Sequence, residues 1–267
     1  MIIWVASYPR SGNTLLRTML FQTMGLKSHV ELPPALRDEN SERGTDLHKF
    51  VGTTPSSPDE WSELIARASK SAETFFFKTH EPPLDDSPVL HVVRDGRQAC
   101  ISYFHFLRDR FPEAQKTLLD IIAGNDLFSH WSRHFNEWAS HPQRLMVRYE
   151  DLIEPSPETL QEIAAFVGHK GEINKWENPF SLLHDLKPDI FRKGENSRNY
   201  PPEWDDSVEW LFQLLHGNLN RALGYEETNK NPKITDSILK AYASFIDTTG
   251  LHFRSQQREI NRLRELT

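Results

Sequence analysis

The chain has 267 residues, a formal net charge of −7, 37% hydrophobic and 26% charged residues, and one cysteine. That length fits one substantial α/β domain with insertions, or two small ones. The acidic balance excludes a broad nucleic-acid footprint, so no nucleic-acid partner is expected. The lone Cys100 excludes an internal disulfide framework and reads as a small buried side chain in a reducing compartment.

No apolar stretch approaches the roughly 20 residues that span a bilayer. The start, MIIWVASYPR, lacks a basic n-region and a signal-length apolar core, so a cytoplasmic enzyme or binding protein is expected.

Residues 2–6, IIWVA, read as a short buried strand. GNTLLRTMLFQTMG then has helical spacing, with Leu15, Leu16, Met19, Leu20 and Thr23 on one side and Gly25 as a stop. From Lys27 to about Ser57 the chain is polar and reads as a surface loop or lid. DEWSELIARASKSA predicts a helix capped by Ser57 or Asp59, and TFFFKTH and VLHVVRD predict the second and third strands. GRQACISYFHFLRDRF is expected to be helical, as is DLFSHWSRHFNEWAS after a mixed segment. RLMVRYED predicts a fourth strand, and PSPETLQEIAAFVG a helix with Pro157 in its first turn. This alternation predicts an α/β fold: a three-layer α/β/α sandwich around a mainly parallel sheet, entered through a P-loop-like turn. Residues 1–225 are expected to form that domain and 226–267 a helical C-terminal extension, whose Phe253, Ile260 and Leu263 would either support a homodimer or pack back on the domain.

Chemistry concentrates in three places. In SYPRSGNTLLR a strand, a tight turn and a helix start place backbone N–H groups where they can hold an anion, with Arg10, Ser11, Gly12, Asn13, Thr14 and Leu15 around it. No Lys-Ser/Thr pair follows Gly12, so a monophosphate or diphosphate suits the loop better than the γ-phosphate of ATP. In HVVRDGRQACISYF, Arg94 ends a strand at the carboxyl edge, where open α/β sheets bind ligands, and Ser102 lies two turns into the next helix. A plain ion pair between Arg94 and Asp95 would account for the same residues. In DIFRKGENSRNY, Arg192, Lys193 and Gly194 make either a compact anion clamp or a solvated charge run.

Taken in order, these motifs resemble the sulfotransferases that use 3′-phosphoadenosine 5′-phosphosulfate (PAPS). YPRSGNTLL is similar to that family's 5′-phosphosulfate loop, VVRDGRQACISYFHF to its 3′-phosphate segment, and FRKG to the late Arg-Lys-Gly element closing over the same phosphate. FFKTHEPP, HWSRHFNEW and VRYEDLIEPSPETLQEIAAFVG match further segments, so the resemblance runs over roughly residues 2–225. It implies sulfuryl transfer to a hydroxyl or amine, with PAPS as cosubstrate and no metal. His80 is implied as general base, Lys78 as stabiliser of the sulfuryl oxygens, and Arg10 as a charged partner of the leaving group standing where the family has lysine.

The sequence also departs from the pattern. Leu15 replaces a tryptophan that stacks on adenine, and Tyr149 of RYED is the alternative platform. ENSRNY replaces the usual continuation after RKG, and Arg198 is either a further phosphate contact or a surface residue. Residues 33–57 and 103–125 are expected to frame a small-molecule acceptor, with Phe104, Phe106 and Phe111 either lining it or in the core. Two other readings are a P-loop ATP-dependent phosphotransferase and a non-catalytic nucleotide-binding relative.

Overall fold

The computed structural model describes residues 1–30, 51–53, 58–180, 184–185 and 200–225. Its centre is a six-stranded, all-parallel sheet: β1 (Ile2–Ser7), β2 (Ser28–His29), β3 (Gly52–Thr53), β4 (Phe75–Thr79), β5 (Val89–Val93) and β6 (Arg144–Arg148), in the order β3-β2-β4-β1-β5-β6. The helices are α1 (Asn13–Met24), α2 (Pro58–Lys70), α3 (Gly96–Arg110), α4 (Leu118–Ala123), α5 (Trp131–Ala139), α6 (Tyr149–Ile153), α7 (Pro157–Phe166) and α8 (Asp206–Ala222).

All six residues of β1 are buried because helices cover both faces of the sheet. Ile3 and Val5, with Phe76, Leu90 and Val92 on neighbouring strands, pack against Leu16 and Leu20 of α1 and Ile163 of α7. Ile2, Trp4 and Ala6, with Phe77 and Val89, pack on the opposite face against Leu64 and Ala68 of α2 and Trp138 of α5. Each fully buried aliphatic or aromatic side chain contributes about 1.5–3 kcal/mol. A third cluster joins α3, α4, α5 and α8 beyond β5, around Trp131, Ile121 and Phe212. Together these layers make the expected α/β/α sandwich.

At the heart of the third cluster Arg97 and Glu209 form a buried two-point ion pair, at 3.2 Å for Nε–Oε2 and 2.9 Å for Nη2–Oε1. Trp204 Nε1 and Gln213 Nε2 each donate to the same carboxylate at 2.8 Å.

Several boundaries differ from the sequence expectation. The polar stretch after Lys27 holds two-residue strands at Ser28–His29 and Gly52–Thr53, which extend the sheet past β4. The fourth strand ends at Arg148, and Tyr149 opens α6 instead of continuing it. The helix expected from Asp126 begins at Trp131, because Ser129 takes a φ of 58° and the ring of His130 caps the helix by accepting from Arg133 N. Gly25 ends α1 in the left-handed conformation at φ 68°, and Pro157 stands in the first turn of α7 behind a Ser156 cap. Cys100 is fully buried, and burial pushes its thiol up, as befits a packing residue. Phe104 also belongs to the core, at 8% exposed. The 226–267 extension, with Phe253, Ile260 and Leu263, lies outside the described residues. Among the described residues, no helix is long and apolar enough to cross a membrane.

Candidate active site

β1, β4 and β5 lie side by side, so their carboxyl ends bring three chain segments to one edge. From β1 the chain turns through Tyr8 to Gly12 into α1. The first intrahelical bond runs from Leu16 N to Gly12 O, which leaves the amides of Asn13, Thr14 and Leu15 as the unpaired first turn. No side chain caps this end and no acid stands in the first turn, so its partial positive charge is uncompensated. Arg10 holds a φ of 64°, unusual away from glycine, and Gly12 one of 104°. A Cβ at Gly12 would lie 2.5 Å from Tyr149 Cδ2, so the loop needs glycine for both backbone angle and space.

Arg94, one residue past β5, donates from Nη1 to the carbonyl of Arg10 at 3.1 Å and lays its guanidinium 4.2 Å from the Tyr149 ring centroid. Its buried Nε has no protein partner, a donor that fits an anion. Asp95 does not hold it: that carboxylate caps α3 by accepting from Arg97 N at 2.9 Å. Arg10 reaches back to α3, with Nε 3.4 Å from Ser102 Oγ and the guanidinium 5.2 Å from the Phe106 ring. Arg10, Arg94 and Ser102 are therefore one cluster beside the α1 N-terminus.

Four residues sit differently from expectation. Tyr149 is 4% exposed with Arg94 across its face, so it braces that guanidinium and presents no open platform for a base. Leu15 is 4% exposed and packs in the core, leaving its backbone amide as its contribution to the loop. Ser11 is 1% exposed, with its hydroxyl buried beneath the loop and without a protein partner. Asn13 turns inward as well, donating from Nδ2 to Val5 O at 2.8 Å, which ties the helix start to the strand beneath. Arg192, Lys193, Gly194 and Arg198 lie outside the described residues.

On β4, Lys78 pairs with Val5 of β1 and shares its face of the sheet. Its ammonium is lowered to about 7, first by burial and then by the charges of Arg17 and Arg10. His80 follows the strand. Its Nδ1 lies 2.6 Å from the carbonyl of Ser7, so in the neutral ring Nδ1–H donates there and Nε2 carries the lone pair. Burial holds this imidazole well below 6.5, Lys78 adds to the depression, and the bond to Ser7 opposes it. The ring sits 5.4 Å, edge on, from Phe128, which with Tyr103 and Phe106 continues an aromatic wall from His80 to Arg10.

Four participants escaped the sequence reading. His134 of α5 lies beside His80, within electrostatic reach of its backbone and ring. Tyr8 packs edge on against both Tyr103 and His134. Phe128 packs edge on against the His80 ring, and Arg17, buried at 3% exposed, donates to Ser28 Oγ at 2.7 Å and Val51 O at 3.3 Å within electrostatic reach of Lys78. A conspicuous aromatic or basic residue marks each position, but nothing in its spacing points to the site.

A model of the sulfotransferase domain matches residues 2–188. Among curated relatives, sulfotransferase 4A1 of Mus musculus is 23% identical over 203 residues, covering 69% of this chain and 66% of that protein. Cytosolic sulfotransferase 1 of Danio rerio is 25% identical over 221 residues, covering 72% and 67%. The chain thus spans just under two thirds of the length of the mouse relative. Among solved structures, mouse sulfotransferase SULT7A1 complexed with PAP superposes with a TM-score of 0.57 at 18% identity, covering 83% of this chain and 86% of that one, a likeness of fold.

Proposed function

The chain belongs to the sulfotransferase domain family, and from that premise we propose that it transfers a sulfuryl group from PAPS to a hydroxyl or amine of a small-molecule acceptor. The observation that carries this reading is the bond of His80 Nδ1 to Ser7 O, which leaves a basic Nε2 at the same sheet edge as the phosphate-binding loop. PAPS, when bound, supplies an activated sulfuryl group whose bond to a phosphate oxygen breaks as the bond to the acceptor forms.

Every other part of the work falls to this chain. The first-turn amides of α1, with Arg10 and Thr14, hold the 5′-phosphosulfate, and Arg94 and Ser102 hold the 3′-phosphate, completed by Arg192, Lys193 and Gly194. His80 Nε2 takes the acceptor's proton, which then resides on the imidazole. Lys78 sets its charge against the oxygens in transfer. Arg10 stabilises the leaving phosphate by charge and hydrogen bonding without donating a proton, since a guanidinium stays protonated above pH 12. Phe106, Phe128 and Tyr103 form the wall against which the acceptor lies.

An ATP phosphotransferase fits less well. Asn13 stands directly after Gly12, where a triphosphate loop needs lysine, and its amide is spent on Val5 O. Calorimetric titration with 3′,5′-diphosphoadenosine tests the proposal, followed by sulfur-labelled PAPS with a panel of phenols, alcohols and amines. Micromolar binding of the diphosphoadenosine without magnesium is expected. Preference for magnesium–ATP would overturn the reading.

A further inference from the structure

Beneath the phosphate-binding loop lies a cavity of about 10 Å³, lined by Tyr8, Ser11, His91, Trp131, His134 and Phe135 among others. Three of the lining side chains carry orphaned polar atoms. Ser11 Oγ and His134 Nε2 are buried, on residues 1% and 2% exposed, and neither has a protein partner. Tyr8 lines the same space, and its hydroxyl is likewise buried without a protein partner. Leaving such a group unsatisfied is destabilising, and a cavity of this size with several polar partners accommodates about one water.

His134 also sits beside the second strand end: its ring lies within electrostatic reach of the His80 backbone. The remaining titratable neighbour is His91, whose ring packs 5.7 Å from that of His134 and whose Nδ1 lies 3.4 Å from Arg144 Nη1.

We propose that this cavity holds one ordered water bridging Ser11 Oγ and His134 Nε2, which makes His134 a positioning residue that ties the phosphate-binding loop to α5, beside the strand end carrying His80. The inference rests on the sulfotransferase reading for its consequence and on the cavity for its existence. The water hydrogen-bonds to Nε2 and meets the Ser11 hydroxyl as donor or acceptor. Loop and base are then held in register from behind, where a shift of about 1 Å between reacting groups costs on the order of a hundredfold in rate.

The test is a double-mutant cycle read by calorimetric binding of 3′,5′-diphosphoadenosine, with a high-resolution crystal structure of the unaltered protein. Ser11→Ala removes one arm of the bridge. His134→Asn removes the other arm, and His134→Gln replaces it if the asparagine variant does not fold. Each single variant is expected to weaken binding about tenfold, and the double variant also about tenfold, because both cut the same link. Density for a water between the two atoms is expected. Losses that multiply to about a hundredfold, or a dry cavity, overturn the inference. An unaltered chain that binds no diphosphoadenosine sinks the sulfotransferase reading instead, while the density still decides the water.

Discussion

The imidazole of His80 is oriented by the strand beside its own: its Nδ1 lies 2.6 Å from the carbonyl oxygen of Ser7, the last residue of β1. That contact fixes the tautomer and leaves the lone pair on Nε2. His80→Ala should lower kcat by about 10²–10⁴-fold while 3′,5′-diphosphoadenosine binds within a few-fold of the unaltered protein. Labelled sulfuryl transfer and calorimetry separate the two. Loss of binding alongside activity would show that His80 is structural.

The pH profile follows from the direction of the His80 shift. Burial and Lys78 hold the imidazole well below 6.5, so the base-competent neutral ring persists as pH falls past that value. The acid limb of kcat/KM should therefore lie below pH 6.5, and Lys78→Met should move it upward. The same sign governs stability: the unfolded imidazole binds a proton at pH values where the folded one does not, so this group's contribution is lost as pH drops below 6.5.

Lys78 runs the other way along the pH axis. Its folded value is about 7 against 10.5 unfolded, so between these limits the unfolded chain holds more protons and this group's contribution to stability rises with pH. A bound diphosphate favours the charged amine. Binding of 3′,5′-diphosphoadenosine near pH 7.5 should therefore take up a fraction of a proton, seen as binding heats that vary with buffer ionisation enthalpy. Lys78→Met should abolish most of that dependence, and a buffer-independent heat in the unaltered protein would contradict it.

Gly12→Ala attacks the loop from behind. The new methyl meets Tyr149 Cδ2 at 2.5 Å and the φ of 104° penalises any side chain, a combined cost of about 1–3 kcal/mol. Lower thermal stability and a large loss of diphosphoadenosine affinity are expected together. Tyr149→Phe keeps the ring against Arg94 and should bind within a few-fold of the unaltered protein.

Three residues after Arg94, Arg97 has a different job. Removing either partner of its buried pair with Glu209 leaves the other charge buried without its counter-ion. Glu209→Ala or Arg97→Ala should cost about 3–5 kcal/mol in denaturant unfolding. A loss under 1 kcal/mol would mean that the pair is idle.

The sequence carried the long features and lost the short ones. β1, β4 and β5 are apolar runs between turn residues, and SYPRSGNTLLR shows its turn and helix start directly. β2 and β3 have two residues each, too few for any alternation to register. The late start of α5 depends on a histidine ring acting as a cap, which ordinary capping chemistry does not flag. Within the site, Arg10, Lys78, His80, Arg94 and Ser102 were legible because ordered motifs marked them. His134 and Ser11 were not legible as partners, because a shared cavity between α5 and the loop depends on packing rather than on any spacing.

The strand order divides responsibilities across the molecule. Arg94 and Ser102 leave from the β5 side of β1, whereas Lys78 and His80 leave from the β4 side, next to the two shortest strands. A change on the flank of β2 and β3 should thus reach Lys78 and His80 without disturbing Arg94 or its aromatic brace. On the proposed reading, one half of the ridge can be rewritten for new acceptors while the other keeps its grip on the phosphate.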